Sequence, residues 1–456
     1  MKILLINPPV DSRKRTAIFL APSSFDLPLN LCYLATPLIK NGHYVKILDL
    51  NLMLLKKVGF INHNNFVSEL EKKRAKGQHF EFMNDILTNE LKKGYDVVGI
   101  NGDFVGISTF FLKQIKNFNP KMICVVGGHT ASRHYEIFLK SGFDFVILGD
   151  GEQSFLNLIN NLKSGKKKLK ELQNVAFIYQ RKIFSRIKTI NYEKLPPLRE
   201  LVNYQSYINY TNITPVLSSR GCKGACIFCS RKLVPNYFLR NVREVVSEIR
   251  SIHRRFHLNN FLFYDDNINN DEKHLRDLCL EIIKNKLKII WACYSRAENL
   301  SSETIQLMSA AGCRKISFGV ESGSRRILKI VDKNIDLTNA LRIIKDCKKN
   351  GMSVRLTFIY DLPYETWKDL FESIKFLIKA RPSSFHFHKL RILSGSLLYK
   401  RIEEYFNVYT KDIYYGAEKI IRREAFKDKI NIFFKDILFY LLNKIGAVGD
   451  LNIFHR

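Results

Sequence analysis

The chain has 456 residues, 46% of them apolar, which excludes global disorder and exceeds one ordinary core, so two or three domains are expected. Against 43 acidic residues stand 73 lysines and arginines, a formal charge of +30. The basic residues are scattered along the chain among Asn and Ile, with no compact basic arm, so the charge is a composition bias and nucleic acid is not an expected partner.

The first residues, Met1-Lys-Ile-Leu-Leu-Ile-Asn-Pro-Pro9, lack the layout of a signal peptide, because the apolar run is short and prolines follow at once. With nine cysteines, an odd number in a long chain, this predicts a reducing, cytoplasmic setting in which cysteines are thiols or metal ligands. Lys2–Asn7 is a predicted buried strand, Leu29–Asn41 a helix stopped by Gly42, and Tyr44–Leu50, Asp96–Asn101, Met122–Val126 and Phe143–Leu148 four further strands, with a helix from Gln153. This α/β alternation predicts a doubly wound parallel sheet over residues 1–165, with any ligand beyond the carboxyl ends of the strands. The loops at Pro8, Gly102, Gly127 and Gly149 fall there.

Residues 166–210 are predicted as a linker carrying a small hairpin, Asn174–Tyr179 with Lys182–Ile187, before Pro196-Pro197. A second alternating region, 211–400, offers strands at Pro215–Ser218, Asn260–Tyr264, Ile289–Tyr294, Lys315–Val320, Ser353–Ile359 and Ser384–Ile392. Helices between them, such as Val242–Arg255 and Leu337–Asn350, complete six βα units, a partial (β/α)6 barrel rather than a closed eightfold one. Residues 401–456 are predicted as a helical extension. Its apolar run Ile437–Leu442, flanked by lysines and preceded by Phe433-Phe434, is expected to pack on the barrel, with peripheral membrane contact as the competing reading. No stretch has the length of a spanning helix.

The chemistry concentrates in Ser219-Arg-Gly-Cys222-Lys-Gly-Ala-Cys226-Ile-Phe-Cys229, in the loop after the first barrel strand. Three thiolates in one turn-rich loop suit three irons of a [4Fe–4S] cubane, and the missing fourth cysteine leaves one iron open for a ligand. The competing readings are chance clustering of structural thiols and a zinc site, which normally takes four protein ligands in paired spacing. The other six cysteines, 32, 124, 279, 293, 313 and 347, lie in apolar elements and are expected in cores, although Cys293 sits at a strand end. His386 and His388 share one face of the last barrel strand, either in a substrate cavity or in ordinary packing.

The CxxxCxxC loop resembles that of the radical S-adenosylmethionine superfamily, and the resemblance runs on through the second region. It implies that the open iron binds the amino and carboxyl groups of S-adenosylmethionine, which an electron from the cluster cleaves to methionine and a 5′-deoxyadenosyl radical. It assigns Cys222, Cys226 and Cys229 to the cluster, and Phe228, Asp265, Asp266, Arg296, Glu321 and Ser322 to S-adenosylmethionine. It also implies an electron donor such as flavodoxin or ferredoxin. Asp361-Leu-Pro-Tyr364-Glu-Thr366 stands where this family has a GLPGET-like turn, so Asp361 and Tyr364 must adopt glycine-like backbone.

The first region resembles the cobalamin-binding domain that precedes such barrels, through Asn7-Pro8-Pro9, Asp49-Leu-Asn51, Val126-Gly127-Gly128-His129 and Gly149-Asp-Gly151-Glu152. By that resemblance Pro8, Pro9, Gly127, Gly128, His129, Gly149, Gly151 and Glu152 contact cobalamin. The DxHxxG motif is absent, which leaves the cobalt's lower face to water, to another side chain or open. Together the resemblances imply transfer of a methyl group from methylcobalamin to an unactivated carbon of a small molecule, lipid or peptide. The alternatives are radical cyclisation, rearrangement or oxidation, a tRNA methylthiotransferase-like activity, and a non-enzymatic cobalamin or redox sensor.

Overall fold

The computed structural model describes residues 1–9, 27–58, 78–165, 168–188, 195–208, 213–230, 237–402, 413–415, 418–420 and 435–444. The chain divides into two units, Met1–Thr211 and Asn212–Arg456.

In the first unit, β1 (Lys2–Asn7) has Ile3, Leu4, Leu5 and Ile6 fully buried, as a parallel strand covered on both faces requires. It is followed by α1 (Leu29–Lys40), β2 (Tyr44–Asp49), α2 (Leu50–Val58), α3 (Gln78–Leu91), β3 (Val97–Asn101), α4 (Val105–Phe118) and β4 (Ile123–Gly127). Short helices α5 (His129–Arg133) and α6 (Tyr135–Lys140), β5 (Phe145–Ile147) and α7 (Gly151–Lys163) complete the alternation. The sheet order is β2-β1-β3-β4-β5-β6-β7, and its first five strands are parallel. Strand order reverses beside β1, so the carboxyl ends of β1 and β3 flank a topological switch point. One core under this sheet gathers Leu4, Ile6, Val98, Ile100, Phe111, Val126 and Phe138.

The predicted hairpin forms, as β6 (Val175–Tyr179) and β7 (Lys182–Phe184), but it extends this sheet instead of standing in a linker. β6 pairs antiparallel with the three-residue β5, through Val146 with Ala176 and Ile147 with Val175. The reason is apolar: Val175, Ala176 and Phe177 are buried there, and an unpaired edge is covered. A short helix, α8 (Tyr204–Ile208), ends the unit.

The second unit holds a six-stranded, all-parallel sheet ordered β15-β14-β13-β12-β11-β8. Its strands are β8 (Ile213–Val216), β11 (Asn260–Phe263), β12 (Ile290–Ser295), β13 (Cys313–Glu321), β14 (Ser353–Tyr360) and β15 (Ser384–Lys389). Two-residue strands β9 (Ser219–Arg220) and β10 (Phe238–Leu239) pair antiparallel beside the start of the barrel. The crossovers run through α9 (Val242–Phe256), α10 (Glu272–Lys284), α11 (Ser302–Ala310), α12 (Arg325–Ile330) with α13 (Leu337–Lys349), and α14 (Trp367–Ala380). Side chains start most of them: Asn241, Asp271, Ser301 and Asp336 each accept a backbone N–H in the first turn, and Thr366 with Asp369 forms a capping box. This is the predicted open (β/α)6 arrangement.

The tail is not wholly helical. After α15 (Leu397–Lys400) come a hairpin, β16 (Ile413–Tyr415) with β17 (Glu418–Ile420), and a helix at 435–444. Phe439 of that helix is fully buried and stacks on Tyr360 at 4.4 Å and on Phe387 at 4.5 Å between centroids. Asn443 clips the main chain of edge strand β15, accepting from Phe387 N at 2.7 Å and donating to Phe387 O at 2.8 Å. The helix therefore packs on the barrel, as expected; Phe433-Phe434 lie outside the described residues. Among the described residues no helix is long and apolar enough to cross a membrane.

Candidate active site

The cysteine loop leaves the carboxyl end of the sheet directly after β9. None of the three cysteines is in a disulfide; Cys226 is buried and Cys222 and Cys229 are partly exposed. Its middle is fixed by main chain: Ile227 N donates to Val331 O at 3.0 Å, and Ile227 O accepts from Leu398 N at 2.9 Å. Ile227 lies in an apolar cluster with Ile327, Val331, Leu362 and Leu398, and Phe228 packs against the same cluster. Gly224 N donates to Cys222 Sγ at 3.3 Å. A side chain at Gly224 would meet Arg296 Nη1 at 2.6 Å, so glycine makes the room in which that guanidinium sits.

The acidic pair after β11 braces the loop. Asp265 is 1% exposed; its Oδ1 accepts from the hydroxyls of Ser218 and Ser219 at 2.6 and 2.5 Å, and its Oδ2 from Ser218 N at 3.0 Å. Burial pushes its carboxyl above the usual range, against these three donors. Asp266 Oδ2 accepts from Gly221 N at 2.9 Å, one residue before the first cysteine. Arg240 adds to the same strand end: it donates to Leu217 O at 2.8 Å and forms a buried ion pair with Glu248.

Asn267, Asn269 and Asn270 connect this loop to the end of β12. Asn270 donates to Gly221 O at 2.9 Å and accepts from Asn267 at 2.8 Å. Asn267 and Asn269 accept from Arg296 N at 3.0 and 3.2 Å. Asn269 also accepts from Ser295 Oγ at 2.7 Å and donates to Arg296 O and Glu298 O at 3.1 and 2.5 Å. Thus held, Arg296 pairs with Glu298 through Nε and Nη2 and donates from Nη1 to Cys226 Sγ at 3.4 Å. Burial disfavours its charge, but Glu298 and the Cys226 sulfur raise the guanidinium further still. Asn269, Asn270 and Glu298 were not among the expected site residues. The visible signal for the first two is three asparagines within positions 267–270, shortly after the strand that ends at Phe263.

Glu321 ends β13 in the left-handed region, φ 70°, at an irregularity in the pairing with β14. Its carboxylate folds over Gly319, where a Cβ would lie 2.4 Å from Oε1, and accepts from Lys333 Nζ at 3.4 Å. Ser322 is fully buried and faces α14, within 3.3 Å of Ser373 Oγ. Asp361 and Tyr364 do adopt positive φ, 63° and 56°. Glu365 accepts from Asp361 N at 2.7 Å and Arg326 donates to Tyr364 O at 2.8 Å, so side chains stabilise what glycine would permit. Cys293 is 2% exposed, level with Phe263 and Ile316, and burial raises its thiol well above the normal value, so it is a core residue.

In the first unit the expected residues gather at the carboxyl ends of β1, β4 and β5. Pro8 and Pro9 are buried. Gly128, φ 110°, and Gly149, φ 69°, are both tied to Ser132, whose Oγ donates to Gly128 O and accepts from Gly149 N, each at 2.9 Å. Gly102 N donates to Gly127 O at 2.7 Å. Gly127 ends β4, an exposed His129 opens α5, Gly151 opens α7 and Glu152 is buried in that helix's first turn. A Cβ on Gly128 would lie 2.9 Å from Asn101 Oδ1, a buried acceptor without a hydrogen-bond partner. A glycine-lined edge with an orphan acceptor fits an amide-bearing cofactor such as cobalamin.

The cysteine loop also fits its group. Among the described residues no three His, Cys, Asp or Glu side chains converge on one point. A cubane takes its three thiolates on three separate irons and needs no such convergence. Residues 216–377 match the Radical SAM superfamily model. The chain is 28% identical, over 83% of its length and 78% of the relative's, to an uncharacterized methyltransferase of Pyrococcus horikoshii. It is 24% identical to the anaerobic magnesium-protoporphyrin IX monomethyl ester cyclase of Rubrivivax gelatinosus, over 75% of this chain and 66% of that one. Its fold matches the radical S-adenosylmethionine methyltransferase TsrM of Kitasatospora setae, solved with cobalamin and a [4Fe–4S] cluster, with TM-score 0.70 and 16% identity over 88% of this chain and 74% of that one. Residues 216–377 of the second unit thus form a radical SAM domain, and the chain is similar in fold to TsrM.

Proposed function

We propose that this protein is a cobalamin-dependent radical S-adenosylmethionine enzyme that methylates an unactivated carbon of a small molecule, lipid or peptide. The observation that carries the reading is the cysteine loop: three cysteines outside any disulfide, on a loop anchored through Ile227, Asp266 and Asn270 at the carboxyl end of a parallel barrel sheet. When bound, the cluster supplies the electron that cleaves S-adenosylmethionine, and methylcobalamin supplies the methyl group. Cys222, Cys226 and Cys229 hold the cluster. Arg296 places a positive charge on Cys226 and sets the electrostatics there. Asp265 and Asp266 act on the loop's geometry, since their carboxylates accept from Ser218, Ser219 and Gly221. Glu321, largely buried and paired with Lys333, and Phe228 are the side chains offered to S-adenosylmethionine; Ser322 acts behind them by holding α14. In the first unit Gly127, Gly128, Gly149 and Gly151 admit cobalamin to the main chain, beside Pro8, Pro9, His129 and Glu152.

The test is anaerobic reconstitution with iron, sulfide and hydroxocobalamin, followed by visible and EPR spectra and product analysis. A [4Fe–4S] signal lost in Cys226→Ala, a bound cobalt signal, and S-adenosylhomocysteine formed with a methylated product support the proposal. Similarity to the cyclase of Rubrivivax gelatinosus favours a second reading, a radical cyclisation or oxidation. That reading gains if 5′-deoxyadenosine forms with no S-adenosylhomocysteine. A chain that binds neither iron nor cobalt refutes both.

A further inference from the structure

Packing on the barrel uses only one face of the helix at 435–444. Phe439 is buried against Tyr360 and Phe387, while Ile437, Tyr440 and Leu441 are 41, 60 and 53% exposed. The neighbouring α14 repeats the pattern. Its Leu370, Ser373 and Leu377 are buried, and Phe376 meets Phe358 of β14. Trp367, Phe371, Ile374 and Ile378 form a row along a different side at helical spacing, with Phe371 54% and Ile378 64% exposed. Lys435 Nζ lies 5.8 Å from the centre of the Trp367 ring, so the two helices are neighbours. Single exposed apolar residues are ordinary, but large ones gathered on adjacent helices mark a contact surface.

Cations flank this surface. Lys368, Lys375 and Lys379, each one position on from a member of the apolar row, are exposed. Together with Arg325 and Arg326 they line a groove of about 660 Å³, against Asp369 and Glu372. Arg326 is matched by Asp369, so the groove keeps an excess of positive charge. Lys444, 4.9 Å from the centre of the Tyr440 ring, adds a cation on the last helix. A second copy of this chain would set these lysines against their own kind, so the charge favours an anionic partner. An apolar row beside a lysine row is the pattern of a helix lying in the plane of an anionic bilayer.

We infer that the outer surface of α14 and of the helix at 435–444 rests on an anionic lipid bilayer. Phe371, Ile378, Ile437 and Leu441 enter the boundary between headgroups and acyl chains, and Lys368, Lys375 and Lys379 meet the lipid phosphates.

The test is co-flotation of the full chain with vesicles of phosphatidylcholine, alone or mixed equally with phosphatidylglycerol, and tryptophan fluorescence with brominated phosphatidylcholine as quencher. The chain has two tryptophans, and Trp291 is fully buried, so quenching reports on Trp367. Binding to the mixed vesicles with quenching is expected. Lys368→Gln, Lys375→Gln and Lys379→Gln combined should weaken binding about a hundredfold, at about fivefold for each charge. The same change at the exposed Lys284, Lys286 and Lys288 of the α10 end should do far less, which separates this surface from the chain's overall charge. Phe371→Ser with Ile378→Ser should weaken binding by at least about tenfold. No binding to the mixed vesicles, binding without quenching, or equal loss in both lysine triples overturns the inference. Quenching in the parent chain decides the matter even where a variant fails to fold.

Discussion

Asn269→Ala tests how the cysteine loop and Arg296 are held together. Asn269 is 3% exposed and makes four hydrogen bonds, to Ser295 Oγ, Arg296 N, Arg296 O and Glu298 O. Truncation removes all four. Arg296 N keeps Asn267 as an acceptor, and Ser295 Oγ and Arg296 O keep each other at 3.3 Å, so the main uncompensated loss is at Glu298 O. With buried hydrogen bonds at about 1 kcal/mol each and an unmet carbonyl at about 1–3, the segment is destabilised by about 2–3 kcal/mol. That makes local opening on the order of a hundredfold more frequent. Amide exchange read by mass spectrometry over residues 293–301 should accelerate by that factor, with first-unit peptides unchanged as an internal control. Asn269→Asp keeps the acceptor oxygen but turns a carboxylate on two carbonyls, and should be at least as damaging. Exchange within threefold of the parent in Asn269→Ala would refute the hydrogen-bond reasoning.

Other outcomes follow from the same geometry. Gly102→Ala would put a Cβ 2.6 Å from Val126 Cγ2 and 3.0 Å from Gly127 O. Overpacking of about 1–3 kcal/mol should weaken hydroxocobalamin retention while the cluster EPR signal stays at parental intensity. Burial raises the Glu365 carboxyl to about 8, with Lys435 opposing, so the protonated form is the one the fold favours. Stability from this group is full below about pH 4.5 and is lost as pH rises through 8. Glu365→Gln should therefore gain on the parent across that window, by up to a few kcal/mol, in thermal melts at pH 5 and pH 8.5. Phe439→Ala removes a fully buried ring and should cost about 3–5 kcal/mol locally, seen as faster amide exchange in β15.

The strands were legible because their chemistry is one-dimensional. Lys2–Asn7 is apolar from end to end, and Ser353–Tyr360 alternates with period two, so each announces itself without its neighbours. The helix Gln78–Leu91 did not, because its buried Met83, Leu87 and Leu91 form a narrow stripe among polar residues. The hairpin at Val175–Phe184 was seen, but its destination was not, since pairing with Val146 and Ile147 is a long-range choice. The three cysteines were visible as a spacing. The roles of Asp265, Asn269 and Arg296 were not, because whether a carboxylate meets a ligand or a serine hydroxyl depends on where the next loop goes.

The way Ile227 is held has a consequence for assembly. Its N–H and C=O are satisfied by Val331 and Leu398, and its side chain is embedded among aliphatic neighbours, all from the polypeptide itself. A zinc finger folds only when metal arrives, so its metal affinity is its folding energy. Here the loop stands on hydrophobic packing and main-chain bonds, so the proposed cluster is not expected to be what folds it. Losing the cluster to oxygen should then leave a protease-resistant polypeptide, ready to be recharged without passing through an unfolded state.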